Sequence, residues 1–387
     1  MTLPPGTRGS LAGLRVVVLG TGLIGTSIAL GARDRGARVW LSDTDPAAAR
    51  LAADLGAGEP LAPGGPPDGP ADLAVLAMPP DAVAAALAGA QERRLAAVYT
   101  DTASVKEPPL RQARQLGCDL SRYVPGHPLA GRERSGPAAA RADLYLGRPW
   151  ALCPGEDTAE QPVQAVASLV RALGAEPALI SAGEHDRWVA LVSHAPHLVA
   201  SAMAARLADA PAGALTLAGQ GLRDVTRIAA GDAVLWAQIL SANAAPVADV
   251  LAAVAADLSS AAALLSAAAP GAPDGPPGPA APESVKPVAA LLEAGQAGVA
   301  RIPGKRGGPA QHYASLQVVI PDQPGELARL FQAAGDAAVN IEDVGIEHSP
   351  GLPAGVAELF VRPEEAERLA AVLRGHGWPV HGETGER

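Results

Sequence analysis

The chain has 387 residues, 48% hydrophobic and 18% charged, which suits a globular protein of two or three domains. Its formal net charge of −10 argues against a nucleic-acid partner, although cations lining a cleft can still receive an anionic substrate. The two cysteines, Cys118 and Cys153, are too few for a disulfide framework or a cysteine-built zinc site and suit a reducing cytoplasm; residues 1–13 lack the apolar core of a signal peptide, and no uncharged apolar run reads as long and hydrophobic enough to span a membrane.

Arg15-Val-Val-Val-Leu19 is an apolar, β-branched run that predicts a buried parallel strand. It ends at Gly20-Thr21-Gly22-Leu23-Ile24-Gly25. A helix is expected over 23–35 and a second strand over 37–42, with Asp43 at its carboxyl end. Strand, glycine turn, helix, strand, acid is the order of a dinucleotide-binding unit. Gly20 makes the tight turn, Gly22 lets the backbone approach a pyrophosphate, and Gly25 lets helix and strand pack closely. Leu23 and Ile24 open the helix, whose free N–H groups and dipole attract phosphate. Asp43 can accept from both hydroxyls of an adenosine ribose and would repel a 2′-phosphate, so NAD is the expected cofactor.

Beyond this unit a helix is expected over 47–55, and the Pro/Gly-rich stretch 59–70 reads as a surface loop. Residues 72–77 predict a strand, and Asp81 a cap for a helix over 82–90. A strand over 96–100 runs into Asp101-Thr-Ala-Ser-Val-Lys106. Loops at such strand ends face the cofactor crevice, which assigns Asp101 to cofactor binding. A short strand over 122–125 leads to Gly126-His-Pro-Leu-Ala-Gly-Arg-Glu133. Strands over 150–153 and 177–180 flank a helix over 161–173. From 184 the pattern turns helical, with helices expected over 184–207, near 214–227, over 233–241 and over 245–268. Pro196 must bend the first. Residues 270–282 read as a linker, a helical stretch continues to 300, and Gly304-Lys-Arg-Gly-Gly308 is a second joint. From Tyr313 the order is β-α-β-β-α-β, a ferredoxin-like arrangement. The domains are thus expected at 14–181 (Rossmann-type α/β), 182–303 (all-α) and 312–383 (small α+β).

Four clusters place polar groups where chemistry is expected: Asp101–Lys106, Gly126–Glu133, Ser193-His194-Ala195-Pro196-His197, and Gly221-Leu-Arg-Asp-Val-Thr-Arg227. Ser193 and His197 stand four apart on a helical face, as do Arg223 and Arg227. The two arginines, beside Leu222, Val225 and Ile228, suggest a half-buried cationic patch, and guanidinium grips carboxylate in a fork. Against these readings, Ser104 could be a helix cap, Lys106 a solvated lysine, and Arg223 part of a solvated ion network. His185 and His194 read as structural, and no metal-ligand pattern surrounds His194 and His197.

In these clusters, and in Gly20-Thr-Gly-Leu-Ile-Gly-Thr-Ser27, the chain resembles the bacterial, NAD-linked prephenate dehydrogenase family with a C-terminal ACT domain. The resemblance implies oxidative decarboxylation of prephenate to 4-hydroxyphenylpyruvate in tyrosine biosynthesis. It puts the family's catalytic histidine on His127 and its serine partner on Ser104. It puts the substrate-binding arginine on Arg227, with His197 and Ser193 nearby. Glu133 matches an acid linked to site gating, and Arg223 stands where some relatives carry lysine. It further implies a homodimer built on the helical domain and a possible amino-acid effector, tyrosine first, at the ACT-like unit. There, Asn340 is placed to bond across to the turn Asp322-Gln-Pro-Gly-Glu-Leu327. Competing readings are arogenate dehydrogenase, a 3-hydroxyacid dehydrogenase or imine reductase, and a non-catalytic NAD and amino-acid sensor.

Overall fold

The computed structural model describes residues 9–131, 134–267, 286–302, 313–348 and 353–382. The chain forms two compact units, 1–260 and 261–387.

The first unit opens with β1 (Arg15–Leu19), α1 (Leu23–Arg33), β2 (Arg38–Ser42), α2 (Pro46–Asp54), β3 (Glu59–Pro60), β4 (Ala71–Leu76), α3 (Pro80–Glu92), β5 (Ala96–Asp101), α4 (Glu107–Gln115) and β6 (Tyr123–Val124). The six strands form one parallel sheet in the order β3-β2-β1-β4-β5-β6. Side chains alternate across it as the two-residue period requires. Val16 and Val18 join one core with Ile28 of α1, whereas Val17 joins another with Val83 and Leu87 of α3. Both faces are therefore covered, which is why β1 carries an unbroken apolar run. Burying each such valine or leucine contributes roughly 1.5–3 kcal/mol.

Two local expectations change here. The stretch read as surface loop contains β3, a two-residue strand on the sheet edge. Asp81 does not cap α3: the cap position is Pro79, and Asp81 lies in the first turn. Proline fits a helix start without a side-chain acceptor, because its missing N–H is one the helix would leave unpaired.

The chain then leaves the parallel sheet. β7 (Gly126–Pro128), β8 (Pro149–Leu152), α5 (Glu160–Ala172) and β9 (Glu176–Leu179) build a separate sheet, with β7 antiparallel to β8 and β8 parallel to β9. His127 pairs opposite Ala151 in this ladder.

The helical part contains α6 (Ala182–Val189), α7 (Ala195–Ala205), α8 (Ala212–Leu215), α9 (Gln220–Thr226), α10 (Ala233–Ala242) and α11 (Ala244–Ala267). Ser181 and Glu184 form a capping box at the start of α6. A π-helical turn, Ala190–His194, joins α6 to α7 immediately before Pro196. The wider turn routes the Ala195 N–H to the Ala190 carbonyl, so the helix absorbs the proline without stopping. The helix expected near 214–227 is instead two short ones separated by residues 216–219, with Gly219 at the second N-cap. Glycine's backbone entropy makes that position a poor helix interior.

In the second unit, α12 (Lys286–Ala300) precedes β10 (Ala314–Pro321), α13 (Glu326–Asp336), β11 (Asp343–His348), β12 (Ala354–Val361), α14 (Pro363–Gly375) and β13 (Val380–His381). The strands make an antiparallel sheet, β11-β12-β10-β13, which is the ferredoxin-like arrangement. Leu316, Val318, Leu330, Leu359, Leu369 and Trp378 lie in its core.

Candidate active site

The glycine turn has the shape a dinucleotide requires. Gly20 has φ +95°, and a Cβ there would sit 2.1 Å from the Ala77 carbonyl oxygen. A Cβ on Gly25 would lie 1.9 Å from the Gly20 oxygen, so helix and turn close only over glycine. Gly22 faces open space, room for a phosphate against the backbone at the start of α1, where Leu23 and Ile24 stand. Asp43 leans toward this turn. One carboxylate oxygen accepts from the Thr21 N–H (2.5 Å) and hydroxyl (2.9 Å), and the other from the Asp45 N–H (2.9 Å). Partial burial opposes ionisation, but these hydrogen bonds prevail and hold the acid below its usual range. The oxygen facing Asp45 also accepts from the Thr44 hydroxyl (3.4 Å), so a ribose hydroxyl would bond to Asp43 by taking the place of the rotatable Thr21 or Thr44 hydroxyl. The residues present therefore fit an adenine dinucleotide.

Asp101 does not take part in that crevice. It is wholly buried, and its carboxylate accepts from the Lys106 ammonium, the Tyr123 hydroxyl (2.6 Å) and the backbone N–H of Ala103 (2.8 Å) and Gly126 (3.3 Å). Its acceptor capacity is spent inside the fold, which overturns its assignment to the cofactor. Lys106 is likewise no solvated lysine: it is buried and also donates to the Gly126 carbonyl oxygen. This pair clamps β7 to the end of β5. A Cβ on Gly126 would lie 2.9 Å from the Asp101 carbonyl oxygen, so only glycine permits the approach.

His127, next along β7, is part-buried. Its Nδ1 lies 2.9 Å from Nε2 of His185, and Nδ1 of His185 lies 2.8 Å from the Asp186 carboxylate. Asp186 also accepts from the backbone N–H of Lys106 (2.8 Å) and Glu107 (2.9 Å), capping α4. Burial, together with His185, Lys106 and His194, holds the His127 imidazole well below its ordinary value, hence neutral near pH 7. Ser104 is half-buried and has no hydrogen-bond partner among the described residues, so the structure does not join it to His127.

The third cluster is divided. His194 is buried, and the Asn243 amide lies 3.0 Å from its Nδ1 while also donating to the Asp186 carbonyl oxygen (2.8 Å). His197 stacks on Trp236, with ring centroids 3.6 Å apart and planes 12° from parallel. Ser193 is exposed while His197 is buried, so the two do not share a face; Ser193 falls in the π-turn, where α-helical spacing fails. Arg223 and Arg227 are also exposed rather than half-buried, because α9 ends at Thr226 and Val225 beside them is 53% exposed. Glu133 lies outside the described residues.

Burial pushes His194 down to about 4, with His185 adding to the shift and Asp186 opposing it. Its folded value thus lies below its unfolded value, and between about 4 and 6.5 the unfolded chain binds a proton that the folded chain does not. Stability should be full above that window and should decline as pH falls through it, by roughly 3 kcal/mol at most from this group. His127 and His197 act in the same direction. Urea midpoints measured stepwise across the window test this; a flat midpoint would contradict it.

Comparison with known proteins then decides the family. Residues 28–179 match the nucleotide-binding domain of prephenate dehydrogenase, and residues 181–270 match its dimerization domain. A probable prephenate dehydrogenase of Streptomyces niveus is 40% identical over 370 residues, 94% of this chain and 99% of the relative. The chain belongs to the prephenate dehydrogenase family. A cyclohexadienyl dehydrogenase of Zymomonas mobilis is 34% identical over 197 residues, 49% of this chain and 66% of the relative. The solved prephenate dehydrogenase of Aquifex aeolicus, in complex with hydroxyphenyl propionate and NAD+, is 25% identical. It covers 75% of this chain and 98% of its own, with a TM-score of 0.63.

The family match also bears on one expectation about membranes. Two 24-residue helical stretches, Ala182–Ala205 and Ala244–Ala267, are by length and composition apolar enough to span a bilayer, although neither is uncharged, the second carrying Asp249 and Asp257. Both lie inside the match to the family's dimerization domain, and the first is interrupted by the charged Glu184, Asp186 and Arg187. An apolar helix in such a domain has a protein surface to face.

Sequence reasoning missed His185 and Asp186 as partners of His127, and Trp236 and Asn243 as partners of His197 and His194. An adjacent histidine and acid just after a capping box was a visible signal. What they meet, 58 residues away, was not.

Proposed function

We propose that this chain is an NAD-dependent prephenate dehydrogenase that converts prephenate to 4-hydroxyphenylpyruvate. The observation that carries the reading is His127: a neutral imidazole on β7, clamped to the end of the cofactor-binding sheet in a member of this family. The dinucleotide is held at Gly20, Gly22, Leu23, Ile24 and Gly25, with Asp43 on the ribose. When bound, NAD accepts the hydride from C4 of the substrate. His127 takes the C4 hydroxyl proton as the carbonyl forms, a role worth typically 10²–10⁴-fold. The ring then loses its carboxylate as carbon dioxide. The bond's electron pair aromatises the ring, and the resulting phenolate recovers the proton from His127. We assign substrate binding to Arg227, which would grip a carboxylate in a fork, together with Arg223, His197, Ser193 and Glu133, and a catalytic role to Ser104 as partner of the base. We assign these tasks to domains at 14–181 and 182–303, with a third domain at 312–383.

A second copy of the chain completes the helical domain. Leu217 and Val234 are 85% and 72% exposed, a surface that a dimerization domain would cover. The two cysteines are unpaired, in keeping with a cytoplasmic enzyme.

The test is nicotinamide reduction with prephenate and arogenate side by side, each with NAD and NADP. Turnover should be greatest with prephenate and NAD. Turnover on arogenate alone would transfer the site to the amino-bearing substrate, and equal kcat/KM for the two cofactors would remove the role given to Asp43.

The ferredoxin-like unit serves as the regulatory, ACT-like domain and binds tyrosine. Gly325, φ +93°, faces open space at the start of α13, where a ligand can reach backbone N–H groups. Asn340 does not bond to that turn as expected; its amide donates to Glu342 (2.6 Å). Gly304–Gly308, the expected joint, lies outside the described residues. Tyrosine should inhibit the full chain saturably, by a coupling of about 1–3 kcal/mol, and should not inhibit a chain ending at Ala300 in the same way. Equal inhibition of both would place tyrosine in the active site.

A further inference from the structure

We infer that His185 and Asp186 are positioning residues that hold His127 in one tautomer, with Nε2 bare to receive the substrate proton. This rests on the reading of His127 as the base. Donors and acceptors along the chain of contacts fix where each hydrogen sits. Oδ1 of Asp186 accepts from the Lys106 N–H (2.8 Å) and Oδ2 from the Glu107 N–H (2.9 Å). A carboxylate held by two backbone donors has only acceptors to offer. The Nδ1 of His185, 2.8 Å from Oδ1, must therefore carry the hydrogen. In a neutral imidazole that leaves Nε2 of His185 as an acceptor. It lies 2.9 Å from Nδ1 of His127, which must then be the donor. The hydrogen of His127 is thereby committed to Nδ1, and its Nε2 keeps a lone pair.

Each link is rigidly held. His185 and Asp186 are both about 2% exposed, and they lie in the first turns of α6 behind the Ser181 capping box. The acceptor at the far end is anchored to α4, a different element, so the direction of the relay does not depend on one flexible side chain. The rings of His127 and His185 meet edge to face, with centroids 5.1 Å apart. Ser104 makes no hydrogen bond among the described residues, so no competing partner claims Nδ1 of His127.

Reversing the relay should block the base. Asp186→Asn can present an amide N–H to His185. That moves the hydrogen of His185 to Nε2 and the hydrogen of His127 onto its own Nε2. A wrong tautomer in a comparable histidine–acid relay costs about 10⁴-fold in kcat. Asp186→Asn should lower kcat by about 10²–10⁴-fold with little change in KM for prephenate. In the His127→Asn background it should cost nothing more, because it acts only through that ring. Losses that multiply would mean a general structural role and overturn the inference. If Asp186→Asn fails to fold, His185→Gln and His185→Phe replace it. The Gln carbonyl can accept the His127 Nδ1–H and the Phe ring cannot, so kcat for Gln should exceed that for Phe by about tenfold or more. Equal values would overturn the inference.

Nitrogen-15 chemical shifts of the histidines in the unmodified, full-length protein supply the reading that does not depend on turnover. A protonated Nδ1 and bare Nε2 on His127 is the expected pattern, and a protonated Nε2 would refute it. If His127→Asn turns over normally while the tautomer is as expected, the assignment of the base has failed and the relay has not.

Discussion

His127→Asn should lower turnover on prephenate by about 10²–10⁴-fold while leaving KM within a few-fold. Asparagine keeps a polar side chain of similar reach, so β7 can still pair with β8 through Gly126↔Leu152 and Pro128↔Trp150. What it removes is a basic nitrogen. Its amide can still donate toward His185, so the buried His185–Asp186 pair need not lose its partner. The loss should thus appear in the chemical step and not in folding or substrate capture. The acid limb of kcat/KM in the unmodified protein gives a second view, since it reports the free enzyme. It should lie below 6.5, because burial and the neighbouring His185, Lys106 and His194 disfavour the charged ring. Near-normal turnover of the variant would remove His127 from the mechanism.

The second large effect is expected on stability. Lys106→Met leaves the Asp101 carboxylate wholly buried with the Tyr123 hydroxyl and two backbone N–H groups but no cation. Breaking a buried pair from one side typically costs 3–5 kcal/mol, because the remaining charge stays desolvated. Against a typical total of about 5–15 kcal/mol, that is a large share. Urea unfolding should show it as a lower midpoint with an unchanged slope. The same variant removes the bond from Lys106 to the Gly126 carbonyl oxygen, next to His127, and a positive charge that disfavours His127 protonation. The acid limb of kcat/KM should therefore move upward. A stability change under about 1 kcal/mol would mean that water reaches Asp101 and that the pair is not sealed as described.

These expectations depend on features of unequal visibility in the chain. The dinucleotide unit could be read residue by residue because its constraints are local. An apolar run, three glycines at fixed offsets, a helix period and an acid two elements later all fall within residues 15–43. The glycines proved to need their missing Cβ at Gly20 and Gly25 and their open face at Gly22, for reasons of backbone shape that sequence order carries directly. The ferredoxin-like unit was legible for the same reason, its strand and helix periods following one another without interruption.

The polar clusters were visible as clusters, but their pairings were not. Gly126 and Asp186 stand far in sequence from Asp101 and Lys106, and whether an acid meets a cofactor or a buried ammonium depends on which strand end it shares with what. The reading of Asp101 followed the general rule for strand ends and missed the lysine five residues on, because a lysine is ordinarily solvated and only the close approach over Gly126 buries it. The π-turn before Pro196 is a similar case. The proline announced a bend, but the extra residue that separates the faces of Ser193 and His197 is a choice made by packing. The sequence by itself determined the cofactor turn and the order of the elements, and only the family resemblance singled out His127 as the candidate base. The tertiary structure alone decided which groups face that base, because hydrogen-bond direction passes from Asp186 through His185 to His127 only once α4, α6 and β7 are brought within 3 Å of one another.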